Sequence, residues 1–261
     1  MAEHVEIITP PQEYRFVEGF SELSSETHFW FQWRFRAFLR QCRDIGLDTE
    51  TPMNVLDVGS GVGTLRTQIE DATKWTVDIT DVDHASLQLS LAGRGRTFYY
   101  DILEKRADFK EKYDVIMLFD VLEHIEETQP FIEALLFHLK KGGYLFVNVP
   151  ALSVLFSRFD EVQGHYRRYT TDSLRREFQS SPLDVVDARY WGLGNVPFLL
   201  LRRFLLQAFS KNKTNEEIFR EGFAPASGLV NGAFLSMMRL ETKLTSRPPL
   251  GSSVLMAARK S

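Results

Sequence analysis

The chain has 261 residues, 44% of them hydrophobic and 25% charged, with a formal net charge of −4. That length holds one large α/β domain with additions or two small domains, and the charge gives no electrostatic reason to expect nucleic acid as a partner. The single cysteine, Cys42, excludes an intrachain disulfide and a cysteine-rich zinc site, and points to a reducing, cytoplasmic setting. The acidic opening MAEHVEIITPPQEY lacks the apolar core of a signal peptide, and no stretch of about 20 apolar residues is present to span a bilayer.

Residues 28–43, HFWFQWRFRAFLRQCR, read as a helix with aromatic side chains on most faces and arginines at 34, 36, 40 and 43, closed by Gly46 and Pro52. Short apolar runs then alternate with helical patterns. Strands are expected at Asn54–Val58, Trp75–Thr80, Thr97–Tyr100, Tyr113–Phe119 and Tyr144–Val149, with helices near 64–71, 84–91 and 128–140, the last ended by Lys140-Lys141-Gly142-Gly143. Strands separated by helices imply right-handed crossovers and a mostly parallel, doubly wound α/β sheet. After Pro150 the alternation weakens. A helix near 170–178 leads to a strand at Leu183–Tyr190, then to 197-PFLLLRRFLLQAF-209, a polar stretch at 211–217, a Gly/Pro/Ala-rich patch and a helix near 231–244; GSSVLMAARK closes the sheet. The expected division is a helical cap at 1–50, a core at 51–192, and a lid or substrate region with a closing strand at 193–261.

The chemistry-bearing stretch is 55-VLDVGSGVGTL-65. Glycines directly after a strand let backbone approach a ligand, and the following helix N-terminus presents amide donors. At the end of the first strand of the core, such a loop marks the crevice of a doubly wound sheet. A dinucleotide fingerprint wants its last glycine at position 64, which is Thr64. The pattern is instead Asp57-x-Gly59-x-Gly61-x-Gly63, which resembles motif I of the class I S-adenosylmethionine-dependent methyltransferases. A nicotinamide-dependent oxidoreductase on a similar sheet is the competing enzyme reading, and the glycine spacing opposes it.

The resemblance implies a Rossmann-like methyltransferase sheet with a helical cap and a helical lid, and S-adenosylmethionine as cofactor. It places the methionine part against Gly59, Ser60, Gly61, Gly63 and Thr64, with Asp57 ordering the loop and meeting the ligand's ammonium. A carboxylate ending the second core strand accepts the ribose hydroxyls; Asp78, Asp81 and Asp83 compete. Asp78 falls inside the strand and Asp83 is placed to cap the next helix, so Asp81 is favoured, beside Val82. Asp101 is the candidate acceptor of the adenine amino group with Ile102 beside it, or else a turn residue. Phe119 ends the fourth core strand, and 119-FDVLEHI-125 is similar to the family's xxxLEHI segment.

The likeness covers about residues 20–190. HFWFQWRFRAFL resembles the N-terminal helix of a bacterial subgroup near the ubiquinone-biosynthesis O-methyltransferases, and 164-GHYRRYTTDSLRREF-178 is similar to that subgroup's GHxRRYxxxxL element. On this resemblance His165 is the candidate general base, with a structural histidine as the alternative; His124 is a substrate-side or packing residue of the LEHI turn. Tyr166 and Arg168 are candidate substrate contacts, the guanidinium matching an acidic group or else bridging to Asp160 or Glu161. Trp30 is a candidate lid residue over the sulfonium, and Arg34 a candidate partner of the methionine carboxylate. Phe198 and Leu201 represent the apolar segment 196–210, where Phe198, Leu201, Leu205 and Phe209 form one stripe. That segment is read as a lid, a dimer contact or a peripheral membrane contact.

No His/Cys/Asp cluster shows metal-ligand spacing, so no required metal is expected. The expected function is methyl transfer to a small molecule, at oxygen of an aromatic, lipidic or lipid-linked acceptor. N- or C-methylation and a catalytically silent binding module are the alternatives. The expected state is monomer or homodimer.

Overall fold

The structure, a computed structural model, describes residues 5–11, 28–90, 92–209, 213–215, 217–218 and 228–261. Leu91, most of the Gly/Pro/Ala-rich patch, part of the polar stretch before it, residues 20–27 and the side chain of Phe209 therefore lie outside the described residues.

Eight strands form one sheet: β1 (Glu6–Ile7), β2 (Asn54–Val58), β3 (Thr76–Asp81), β4 (Thr97–Tyr99), β5 (Tyr113–Phe119), β6 (Leu139–Pro150), β7 (Leu183–Trp191) and β8 (Ser253–Lys260), in spatial order β1-β4-β3-β2-β5-β6-β8-β7. Neighbours pair in parallel except at β8, which lies antiparallel between β6 and β7. The helices are α1 (Phe29–Asp44), α2 (Thr64–Ala72), α3 (His84–Gln88), α4 (Thr128–His138), α5 (Arg158–Val162), α6 (Thr171–Glu177), α7 (Val196–Phe209) and α8 (Gly228–Leu244).

Both faces of the sheet are covered, and the period-2 alternation of the strands sorts their side chains between two cores. Leu56, Val58, Ile116, Leu118, Leu145 and Val147 pack with Ile132 and Leu135 of α4 and Leu174 of α6. Val55, Val115, Met117, Phe119 and Phe146 pack on the other face with Trp33, Phe38 and Cys42 of α1 and Ile69 of α2. Strand order reverses at β2, whose neighbours are β3 and β5. The carboxyl ends of β2 and β5 therefore flank the ligand crevice that such a sheet opens.

Three sequence expectations change. Glu6–Ile7, assigned to a helical cap, forms an edge strand on β4; two residues are too few for periodicity to reveal. The 84–91 helix stops at Gln88. Lys140–Gly143 does not end a helix but lies within β6: Leu139 is already extended at φ −81° and ψ 131°, and pairs with Tyr113. Gly142, at φ +76°, accompanies a register shift in that pairing.

Candidate active site

The loop after β2 is held in left-handed turns: Gly59, Gly61 and Gly63 have φ of +72°, +53° and +75°. A side chain at Gly59 would run into Val121, so that glycine serves packing as well as conformation. At Gly61 an added Cβ meets nothing within 4 Å, leaving open space over the loop. Gly63 is the N-cap of α2, and Thr64 is its first residue. Gly59 and Ser60 both donate backbone N–H to the Thr80 carbonyl, tying the loop to β3.

Asp81 ends β3 and completes that tie. Its Oδ2 accepts the Gly61 N–H at 2.8 Å and its Oδ1 accepts the Asp83 N–H at 2.9 Å. Of its two competitors, Asp78 lies within β3 and accepts the Tyr113 hydroxyl and the Arg96 N–H, while Asp83 caps α3 through the Ala85 N–H and the Ser86 hydroxyl. Asp57 is 2% exposed, and its Oδ2 has no hydrogen-bond partner. Burial pushes its carboxyl up to about 7 against the attraction of Arg34; burial likewise raises Asp81 to about 6. Asp101 accepts the Leu103 N–H and caps a short 3-10 turn, with Ile102 buried beside it. Val82 is half-buried, following Asp81.

Arg34 is buried and reaches Asp120, donating from Nη1 to Oδ2 at 2.6 Å, and its guanidinium lies over the rings of Trp30, Phe31 and Phe119 at 4.9, 5.1 and 5.4 Å. Asp120, directly after β5, has φ +60°, a strained value that Asp tolerates better than most residues. Asn148 donates Nδ2 to Asp120 and accepts from the Trp191 indole at 2.8 Å, and Trp191 in turn packs against Trp30. Sequence reasoning missed Asp120, Asn148 and Trp191 as parts of the site. The signal for Asp120 was available: it precedes the LEHI segment at a strand end on the switch point. Asn148 and Trp191 reach the site only through tertiary pairing of β6 and β7 with β8.

Beyond β6, α5 carries Asp160, which is fully buried. Its Oδ2 accepts the Ser157 N–H and hydroxyl; its Oδ1 accepts Arg168 Nε at 2.7 Å and faces His165 Nδ1 at 3.2 Å. These partners hold the Asp160 carboxyl far below the usual range despite burial. An ionised carboxylate only accepts, so the nitrogen that faces it, His165 Nδ1, carries a proton. His124 meets His165 edge-on at 4.6 Å, and burial together with His165 lowers it to about 4, so it is neutral at pH 7. Glu123 is 1% exposed, Oε2 lacks a partner, and burial with the nearby Asp120 charge raises its carboxyl well above the ordinary value.

One donor atom each from Glu123, His124 and His165 lies within 4.8 Å of the others. The fold thus gathers, from two segments, a group whose sequence spacing shows no ligand pattern. Arg168 also donates Nη1 to the Ala151 carbonyl. Arg167 turns away to the Ile125 and Glu126 carbonyls, and Tyr166 is largely exposed. Helix α7 packs on α5 and on the 3-10 turn at Ser153–Leu155. Its Phe198 lies edge-on to Phe234 of α8, while Leu201 is 57% exposed. No helix is long and apolar enough to cross a membrane among the described residues.

A family model described as a methyltransferase domain matches residues 30–188. The ubiquinone biosynthesis O-methyltransferase of Bartonella quintana is 29% identical over 100 residues, covering 37% of this chain and only 40% of the relative's length. The fold is similar to that of a sarcosine dimethylglycine methyltransferase from Galdieria sulphuraria, at 13% identity, with TM-score 0.58 and coverage of 87% and 85% of the two chains. It is also similar to that of a [4+2]-cyclase, at 15% identity, with TM-score 0.57 and coverage of 100% and 87%. A shared sheet therefore does not name the reaction, and the side chains must.

Proposed function

The chain belongs to the methyltransferase-domain family, and on that premise we propose that it transfers a methyl group to an oxygen of a small aromatic, lipidic or lipid-linked acceptor, with His165 as the base. The methyl donor is S-adenosylmethionine, which supplies an electrophilic methyl on a sulfonium centre. Two features of the chain fit that group: the unpartnered Asp57 Oδ2, which suits an ammonium, and the open space over Gly61. In this reading Asp81 accepts the ribose hydroxyls, while Ser60, Gly63, Thr64, Val82, Asp101, Ile102 and Phe119 line the nucleoside and methionine parts. Arg34, anchored by Asp120, faces the methionine carboxylate, and Trp30 lies beside its guanidinium.

The observation that carries the proposal is the Asp160–His165 pair. Asp160 fixes the Nδ1–H tautomer, so His165 Nε2 is ready to take the acceptor's hydroxyl proton as oxygen forms its bond to the methyl carbon and the carbon–sulfur bond breaks. Neutral His124 packs the imidazole from the side without competing for its charge. Tyr166, Arg168, Phe198 and Leu201 then form the acceptor wall.

The test incubates the full chain with methyl-labelled S-adenosylmethionine and a panel of phenols, catechols, amines and activated-carbon acceptors carrying apolar tails. Label recovered as a methyl ether from the phenols or catechols is the expected result. Label on nitrogen or carbon, or none with tight cofactor binding, would overturn the oxygen assignment or the catalytic one respectively.

A further inference from the structure

Arginines around the acceptor side are held one by one. Arg34 pairs with Asp120, Arg168 with Asp160, and Arg167 with two carbonyls and, at 3.9 Å, Glu177. Arg203 donates to the Val154 carbonyl. Arg202, in contrast, has neither a hydrogen bond nor an ion pair among the described residues. Its guanidinium lies 4.2 Å from the ring centroid of Phe159, the residue before Asp160. Burial, followed by the charge of Arg168, pulls it down to about 10, and Asp160 opposes that shift. It therefore remains charged at neutral pH, in a half-buried position where the nearby Asp160 carboxylate is already shared by Arg168 and His165.

A half-buried guanidinium without a paired counter-charge has donors left over for an anion that reaches it. Its planar fork matches the oxygens of a carboxylate or phosphate. Arg168 has its Nε on Asp160 and its Nη1 on Ala151, which leaves Nη2 as a second donor near the same place. Outward from Arg202, α7 presents Leu201, Phe204 and Leu205, each about half exposed or more. The region thus combines surplus positive charge next to the candidate base with an apolar approach.

We propose that Arg202, seated on Phe159 beside the Asp160–Arg168 pair, binds an oxyanion, carboxylate or phosphate, carried by an amphipathic methyl acceptor. This rests on the methyltransferase reading above and narrows its acceptor to anionic compounds with an apolar portion. The contact is an acceptor contact, not a membrane one, because the Arg202 guanidinium lies on Phe159 of α5 while Leu201, Phe204 and Leu205 are the exposed residues of α7.

The experiment titrates the full chain, with and without S-adenosylhomocysteine, by calorimetry against octyl phosphate, octanoate and octanol. Both or one of the anions should bind at least about tenfold more tightly than octanol, and the stronger of the two identifies phosphate or carboxylate. Arg202→Gln should weaken anion binding about 10- to 100-fold, the range for a charge-assisted hydrogen bond. It should leave octanol and S-adenosylhomocysteine affinities unchanged, and should change the Tm of the ligand-free protein little, because no hydrogen bond or ion pair among the described residues is lost. Arg203→Gln should bind the anions normally.

Equal binding of octanol and the anions, or unchanged anion binding in Arg202→Gln, overturns the proposal. So do equal losses in the two arginine variants, which would mean general surface attraction. Loss of binding to phosphatidylglycerol vesicles in Arg202→Gln with intact octyl-anion binding would reassign the residue to a membrane surface. Failure of S-adenosylhomocysteine itself to bind would instead sink the cofactor reading, while the titrations without it still decide the role of Arg202.

Discussion

At the carboxyl ends of β2 and β3, the proposed cofactor side is built from backbone in left-handed turns and two short carboxylates, all within 25 residues of one another in sequence, Asp57 to Asp81. The proposed acceptor side is assembled from side chains on four segments: Glu123 and His124 after β5, Asp160 on α5, His165 and Arg168 after it, and Arg202 on α7. The first half depends on local conformation, which a few residue types dictate. The second depends on tertiary contacts that bring those segments together, and small changes in those contacts re-aim the chemistry. A family can thus keep one half while exchanging acceptors through the other.

The sharpest way to separate the halves is His165→Ala. Turnover should fall about 10²- to 10⁴-fold, the range for loss of a general base, with S-adenosylhomocysteine affinity unchanged. Dialysis against a chelator should leave kcat unchanged. If activity is instead lost and restored by a divalent cation, the Glu123/His124/His165 group acts as ligands and not through a base.

The converse variant is Asp81→Ala. It removes the acceptor of the Gly61 N–H as well as the proposed ribose contact, and should weaken S-adenosylhomocysteine binding by roughly 1.5–3 kcal/mol, about 10- to 150-fold. Asp83→Ala, which loses only the cap of α3, should bind normally. Equal affinities in wild type and Asp81→Ala, measured by calorimetry, would take Asp81 out of the site.

The unequal legibility of the two halves in the sequence has a physical origin. Strand positions were readable because both faces of each core strand are covered, so Val115–Phe119 is apolar throughout. The Asp57-to-Gly63 pattern was readable because left-handed turns restrict residue choice. Asp83 was readable as a cap for the same local reason. Nothing local announces that Arg34 is anchored on Asp120, that His124 packs on His165, or that Arg202 has no hydrogen bond or ion pair among the described residues. Those facts require α1, α5, α7 and the segment after β5 to meet. The Lys140–Gly143 run misled because its glycines resemble a helix stop, whereas here they allow β6 to start irregularly beside β5.

A pH titration sharpens the cofactor half further. The carboxyls of Asp57 and Asp81 lie at about 7 and 6, above the ordinary 3.8. Raised folded-state values mean that the folded protein holds these protons more tightly than the unfolded chain does. Their contribution to stability is therefore complete below about pH 4 and is lost as pH rises through 6 to 7. The Tm of the ligand-free protein should carry a component that falls between pH 5 and 8. Ligand binding should run the other way, since an ammonium favours ionised Asp57. S-adenosylhomocysteine affinity should weaken by up to about tenfold for each pH unit below 7. Asp57→Asn should flatten that slope; a slope that persists in the variant assigns the protons elsewhere.

The smallest expected effect tests the acceptor wall at α7. Phe198 is 51% exposed and packs edge-on against Phe234 at 4.9 Å. Phe234 itself stacks on Phe29 at 4.3 Å. This chain of rings links α7 through α8 to Phe29 at the start of α1, five residues before Arg34. Truncating a half-exposed phenylalanine removes about 1 kcal/mol of contact, so Phe198→Ala should raise the acceptor KM roughly fivefold and leave kcat and cofactor affinity unchanged. Leu201→Ala, with less aromatic contact, should do somewhat less. If α7 is instead a dimer contact, Phe198→Ala will shift the sedimentation profile with no change in KM. If it lies on a membrane, the variant will lose vesicle co-sedimentation while its KM for a soluble acceptor stays the same. The KM change alone, without either of the others, is the result that ties the apolar face of α7 to the same crevice as His165.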